Sequence, residues 1–136
     1  MRKLSVKRIA ALSLLLLLFA CSRQTPLEKA QEGARVAAEV YYGFLLRGDY
    51  DRFLAGRAGM EGIPDSFREQ LIATYTQYAL QQKKFRGGIV SIQASRAVPD
   101  STLNLMQVFL IINYHDASSE EIVVPMVLEG DEWKMK

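Results

Sequence analysis

His115 is the lone histidine of the chain and stands between Tyr114 and Asp116, so an imidazole beside a carboxylate is available for proton shuttling. The commoner setting for such a triplet is a turn, in which the aspartate bonds its own backbone. One histidine and one cysteine, Cys21, cannot supply the nitrogen and sulfur donors of an ordinary metal centre, and neither a metal nor a cofactor is expected. Tyr41, Tyr42, Tyr75 and Tyr78 add phenols, each of which needs a hydrogen-bond partner once buried. The carboxylates Glu120 and Glu121, and Glu129, Asp131 and Glu132, cluster at strand ends and read as solvated turn charge. No serine or cysteine has a base partner in a recognisable motif, and no glycine-rich phosphate loop follows a strand. No catalytic residue is expected.

The remaining chemistry belongs to Cys21. Residues 1–8 carry Arg2, Lys3, Lys7 and Arg8 without an acid, and residues 9–22 are uncharged. As a helix that run reaches only about 21 Å, short of the ~30 Å hydrocarbon core, which predicts a signal peptide over 1–20 and not a membrane span. Its ending, Leu18-Phe19-Ala20-Cys21, resembles the lipobox of bacterial lipoproteins, although Phe19 replaces the small or β-branched residue usual there. The resemblance implies that Cys21 becomes the first mature residue and carries acyl chains such as palmitate, followed by a lipidated tether over 21–26. Several acyl chains make a lasting membrane anchor. Ser22 stands where an aspartate would retain enterobacterial lipoproteins on the inner membrane, so the outer membrane, facing the periplasm, is the implied location. Four of the 17 basic residues would leave with the signal, so 13 face 15 acids and the mature net charge is −2. The basic pI of the whole chain is therefore no sign of nucleic-acid binding. The dense basic cluster Lys83, Lys84 and Arg86 suits the C-terminal end of a helix.

Leu27, Ala30, Ala34, Ala37, Tyr41, Phe44 and Leu45 recur at spacings of three and four, which predicts an amphipathic helix capped by Thr25, with Pro26 in its first turn. Asp49 is placed to cap a short second helix through Phe53 and Leu54. After the glycine-rich stretch GRAGMEGI, Ser66 and Glu69 have capping-box spacing for a third helix carrying Phe67, Leu71, Tyr75, Tyr78 and Ala79 and ending at Gly87-Gly88. The period then changes to two. Val90, Ile92 and Ala94 mark a first strand, Pro99-Asp100-Ser101 a turn, and Leu103 to Tyr114 a strand apolar enough to be covered on both faces. Ile122 to Leu128 form a third strand with Pro125 at an edge or bulge, and Gly130-Asp131 a tight hairpin before Trp133. Gly33 and Gly43, costly inside a helix, are expected to admit close approach of another element. Helices followed by an antiparallel meander give an α+β class with the helices on one face, as a single domain over 27–136.

The long first helix ending in Leu46-Arg47-Gly48-Asp49-Tyr50, the short second helix, the third helix, the hairpin strands and the ending Gly130-Asp131-Glu132-Trp133-Lys134-Met135 together resemble the nuclear transport factor 2-like superfamily, the cystatin-like cone. Bacterial lipoproteins grouped only as a domain of unknown function are especially similar. The resemblance covers residues 25–136 and implies a sheet curled around the helices to form a pocket, which some members use for steroid-like substrates or small ligands. Many members use the sheet face as a dimer surface. Tyr41, Tyr75 and Phe44 are then the ligand-pocket candidates, with Tyr42 and Tyr78 behind them. The family's enzymes use an acidic base and a tyrosine or acid donor, for which no motif is present here. The functional expectation is a membrane-anchored, non-enzymatic ligand- or protein-binding module of the cell envelope. Its partners would be the membrane, a small apolar ligand or an envelope protein, and a second copy through the sheet face. The alternative is a cone-pocket isomerase or hydrolase acting on a small hydrophobic substrate.

Overall fold

The computed structural model describes residues 23–136. The expected signal peptide over 1–20, with Cys21 and Ser22, lies outside the described residues.

Helix α1 spans Pro26–Leu46. The Thr25 hydroxyl accepts the Glu28 N–H at 3.1 Å and the Thr25 N–H donates to Glu28 Oε2 at 2.9 Å, a reciprocal capping box. The helix thus takes Pro26, the last residue of the expected tether. Asp49 caps the short helix α2, Tyr50–Ala55, as expected. Helix α3 spans Asp65–Arg86, and here the expected cap is absent. The chain enters α3 directly from Pro64, whose carbonyl accepts the Phe67 and Arg68 N–H groups, so Ser66 lies inside the first turn and cannot act as its cap. Gly87, in the left-handed region at φ +76°, ends α3.

Strands β1 (Ile89–Asp100), β2 (Leu105–Tyr114), β3 (Ser119–Glu129) and β4 (Glu132–Met135) form one antiparallel meander in the order β1-β2-β3-β4. The first turn falls later than the expected Pro99–Ser101. Pro99 and Asp100 still pair with β2, because β1 is an edge strand where a missing N–H costs no ladder bond, and the Asp100 carboxylate accepts the Leu103 N–H at 3.0 Å across the turn. Pro125 meets its expectation of an edge: its carbonyl accepts the Lys136 N–H just where β4 runs out.

The helices cover one face of the sheet, where Val108, Leu110, Val124 and Met126 pack in one cluster with Ala34 and Ala38 of α1. The expectation that β2 is covered on both faces is corrected. Gln107, Phe109, Ile111 and Asn113 point the other way and are only half-buried. Their shielding comes from cross-strand neighbours, chiefly Arg96, whose guanidinium lies 3.6 Å from the centre of the Phe109 ring and 3.5 Å from Glu121.

Helix α1 also protects the free edge of β1. Gln31, Arg35 and Glu39, four residues apart and so on one face, reach the strand backbone: Gln31 donates to the Ala97 carbonyl at 2.9 Å, Arg35 to the Ala94 carbonyl at 3.4 Å, and Glu39 accepts the Ala94 N–H at 2.6 Å. The Ala94 bonds sit at the register shift between Ala94 and Arg96, where ladder partners are lost. A polar stripe thereby closes an edge that would otherwise invite another strand. Gly33 has the expected use, since a Cβ there would stand 2.9 Å from the Trp133 indole nitrogen, whereas Gly43 meets only Arg47, the C-cap of the same helix, and admits no other element.

Candidate binding site

The stretch after α2 is tied to β4 as a short parallel bridge. The Met135 N–H donates to the Gly56 carbonyl at 2.8 Å and the Ala58 N–H to the Met135 carbonyl at 2.7 Å, which fixes the backbone of Arg57 between them. Gly56 is required there, because a Cβ would stand 2.4 Å from the Tyr41 ring. From this anchored position the Arg57 guanidinium donates to the Tyr75 hydroxyl at 3.1 Å. Behind it, Phe53 meets Tyr42 and Tyr75 edge to face, with ring centres 5.3 and 4.9 Å away. Burial pushes the Tyr42 phenol up to about 12, the neighbouring Tyr78 and Tyr75 add to the rise, and Arg57 opposes it.

Arg57 lines two clefts. One, of about 130 Å³, is mixed: Tyr42, Phe53, Val123, Val124, Pro125 and Met135 line it together with the basic Lys136. The other, of about 250 Å³, is lined by charged side chains of both signs, Arg68 and Lys134 with Glu61 and Glu129. Neither reaches the ~300 Å³ at which sites for drug-sized ligands begin. The pair suits a small molecule, or the end of a larger one. Among the described residues neither Arg57 nor Arg68 has a carboxylate within ion-pair distance, whereas Lys134 pairs with Glu132 at 3.2 Å. A guanidinium held by a phenol and without a direct carboxylate partner can receive a carboxylate or phosphate through two parallel N–H donors.

Of the ligand-pocket candidates, Tyr75 lies in this site. Tyr41 is clamped elsewhere: its hydroxyl donates to the Trp133 carbonyl at 2.7 Å and its ring covers Gly56. Phe44 is half-buried with the guanidiniums of Arg47 and Arg52 at 5.1 and 5.6 Å from its ring centre. Tyr42, one residue and about 100° round α1 from Tyr41, is the tyrosine of that helix that meets Phe53. Arg57 was missed by reading the sequence; its one signal is a basic residue inside a glycine-rich stretch just after an apolar helix.

The other polar groups are engaged locally. The Asp116 carboxylate accepts the Ser118 N–H at 2.8 Å and bonds its hydroxyl, which holds the carboxyl below its usual range, and the His115 N–H bonds the Gly88 carbonyl. These are turn roles, with no bond between the His115 ring and Asp116. Tyr114, with 3% of its surface exposed, donates to Glu120, and Arg86 closes the pair from 3.6 Å while stacking on the Tyr114 ring at 4.4 Å. Burial and then the Glu120 bond push the Tyr114 phenol well up. Neither residue of the pair lines the clefts beside Arg57. Among the described residues no three His, Cys, Asp or Glu side chains gather as a metal site, and no helix is long and apolar enough to cross a membrane.

No protein-family model and no curated protein matches the chain. A solved structure from Campylobacter jejuni, carrying the provisional name NTF2-like transpeptidase, is similar with a TM-score of 0.57 and 13% sequence identity, over 72% of this chain and 92% of that one. A likeness at that identity speaks to architecture alone. The helices on one face of a four-stranded antiparallel meander, with that similarity, give this chain the NTF2-like fold.

Proposed function

We propose that the protein is a lipid-anchored module of the bacterial envelope that binds without catalysing, held by acylated Cys21 to the outer membrane and facing the periplasm. The observation that carries the binding reading is Arg57, fixed at its backbone by β4 and at its side chain by Tyr75, where two small clefts meet, one with Phe53 and Pro125 in its wall and one lined by charged side chains. That arrangement suits a small amphiphile, with an anionic group on Arg57 and a short apolar part against Phe53 and Pro125. It replaces the purely apolar ligand expected from sequence. A second copy or an envelope protein would dock on the outer sheet face around Phe109 and Val123.

The name of the Campylobacter protein points to transpeptidation, which needs an activated serine or cysteine beside a base. In this chain the His115 ring hydrogen-bonds no serine among the described residues, and the one tyrosine-carboxylate pair, Tyr114 with Glu120, is closed by Arg86. These features favour binding over catalysis.

Nuclear magnetic resonance of the mature protein titrated with octanoate tests the reading. Saturable shifts at Arg57, Tyr75 and Phe53 that vanish in Arg57→Ala are expected. Shifts scattered over the surface, or unchanged by the substitution, would contradict it.

A further inference from the structure

From Cys21 to Pro26 is five residues, so the tether reaches at most ~17 Å and the start of α1 must stay near the bilayer. The end of the domain that meets this constraint has an unusual surface. Leu27 in the first turn of α1, Leu103 in the turn between β1 and β2, and Leu128 just before the turn into β4 are 50, 56 and 56% exposed. They belong to one end of the molecule: Gln31 ties the start of α1 to Ala97 near the end of β1, Gly33 packs against Trp133, and Trp133 pairs with Leu128. A cleft of about 440 Å³ is lined by Pro99, Asp100, Ser101 and Asn104 from one hairpin tip and by Leu128 and Trp133 from the other.

Charge narrows the partner. The tips carry Asp100, Glu129, Asp131 and Glu132, no lysine or arginine lies in 99–104 or 128–132, and the ammonium of the neighbouring Lys134, which bonds the Ala55 carbonyl, pairs with Glu132 alone of these four acids. An anionic lipid surface would repel them, whereas a zwitterionic one would not.

We propose that this end of the domain rests on the bilayer, with Leu27, Leu103 and Leu128 dipping among zwitterionic headgroups. The proposal rests on the anchoring reading of Cys21. It stands α1 away from the surface, so that its C-terminal end is about 30 Å out, given 21 residues at ~1.5 Å each.

Trp133, the sole tryptophan, sits beside the contact and reports on it. The acylated protein, with its anchor verified by mass, is placed in phosphatidylcholine vesicles containing a lipid nitroxide-labelled near the headgroup. Trp133 emission should fall by half or more, fall less as anionic lipid is added, and recover quenching at high salt. In the double variant Leu103→Ser, Leu128→Ser, still vesicle-bound through its acyl chains, most of the quenching should disappear. An acylated, vesicle-bound wild type whose Trp133 is unquenched and stays as open to aqueous iodide as in detergent would overturn the orientation while leaving the anchor intact. A Cys21 without acyl mass would overturn both.

Discussion

Helices α1 and α3 are of nearly equal length, 21 and 22 residues, yet they are held very differently. α1 buries Ala34, Ala38 and Leu45, lies over all four strands and stitches the edge of β1 with Gln31, Arg35 and Glu39. α3 buries no residue and leaves Phe67, Leu80 and Phe85 exposed, the last at 72%. Small residues let α1 approach the sheet closely. α3 touches the body through larger half-buried side chains, Tyr75 and Tyr78 among them. The lesson is a division of labour, with α1 and the sheet as a fixed scaffold and α3 as an adjustable wall over the Arg57 site.

Substitutions separate the two halves most sharply. Leu110→Ala removes a fully buried side chain beneath α1 and should cost about 3 kcal/mol in chemical denaturation. If it cost no more than a surface change, the scaffold half of the comparison would be lost. Gly33→Val should cost about 2 kcal/mol by driving into Trp133, with a shift in tryptophan emission. Thr25→Ala removes the capping box and should cost about 1 kcal/mol. On the other side, Phe85→Ser should change stability by less than about 0.5 kcal/mol, because the ring is exposed and only the Lys84 ammonium stands over it, at 5.5 Å. A larger loss would mean that α3 is bound as firmly as α1.

The tyrosines near α3 add a pH signature. Tyr42 and Tyr114 both ionise with more difficulty folded than unfolded, so the unfolded chain releases their protons first as pH rises. Stability should be unaffected by these groups below pH 10 and decline as pH rises toward 12. Arg57→Ala should raise the Tyr42 titration further, since Arg57 is the neighbour that lowers it, and ultraviolet titration against Tyr42→Phe would follow the change.

Elements were more legible in the sequence than contacts. Thr25, Pro26 and Glu28 declared the start of α1, and alternation declared the strands, because capping and pleating depend on neighbours in the chain. The start of α3 was misread because Ser66 and Glu69 satisfy a capping pattern although the helix in fact begins two residues before that pattern places it, behind a proline that fixes the entry. Double cover of β2 was misread because cross-strand partners such as Arg96 shield an apolar strand without a second layer. The site was the least legible part. Tyr75 stood out by its place on a stripe, but choosing Tyr42 over Tyr41 needed the rotation of α1 against α2, and Arg57 matters only because β4 returns 78 residues later to hold it.

Hydrogen exchange of the mature protein, with and without saturating octanoate, tests the division of labour most directly. The amides of α3 and residues 56–63 should exchange fastest among the regular elements and their flanks and gain protection on binding, with α1 and β2 slow and unchanged. Equal protection of α1 and α3 in the free protein, or ligand protection confined to α1 and β1, would contradict it.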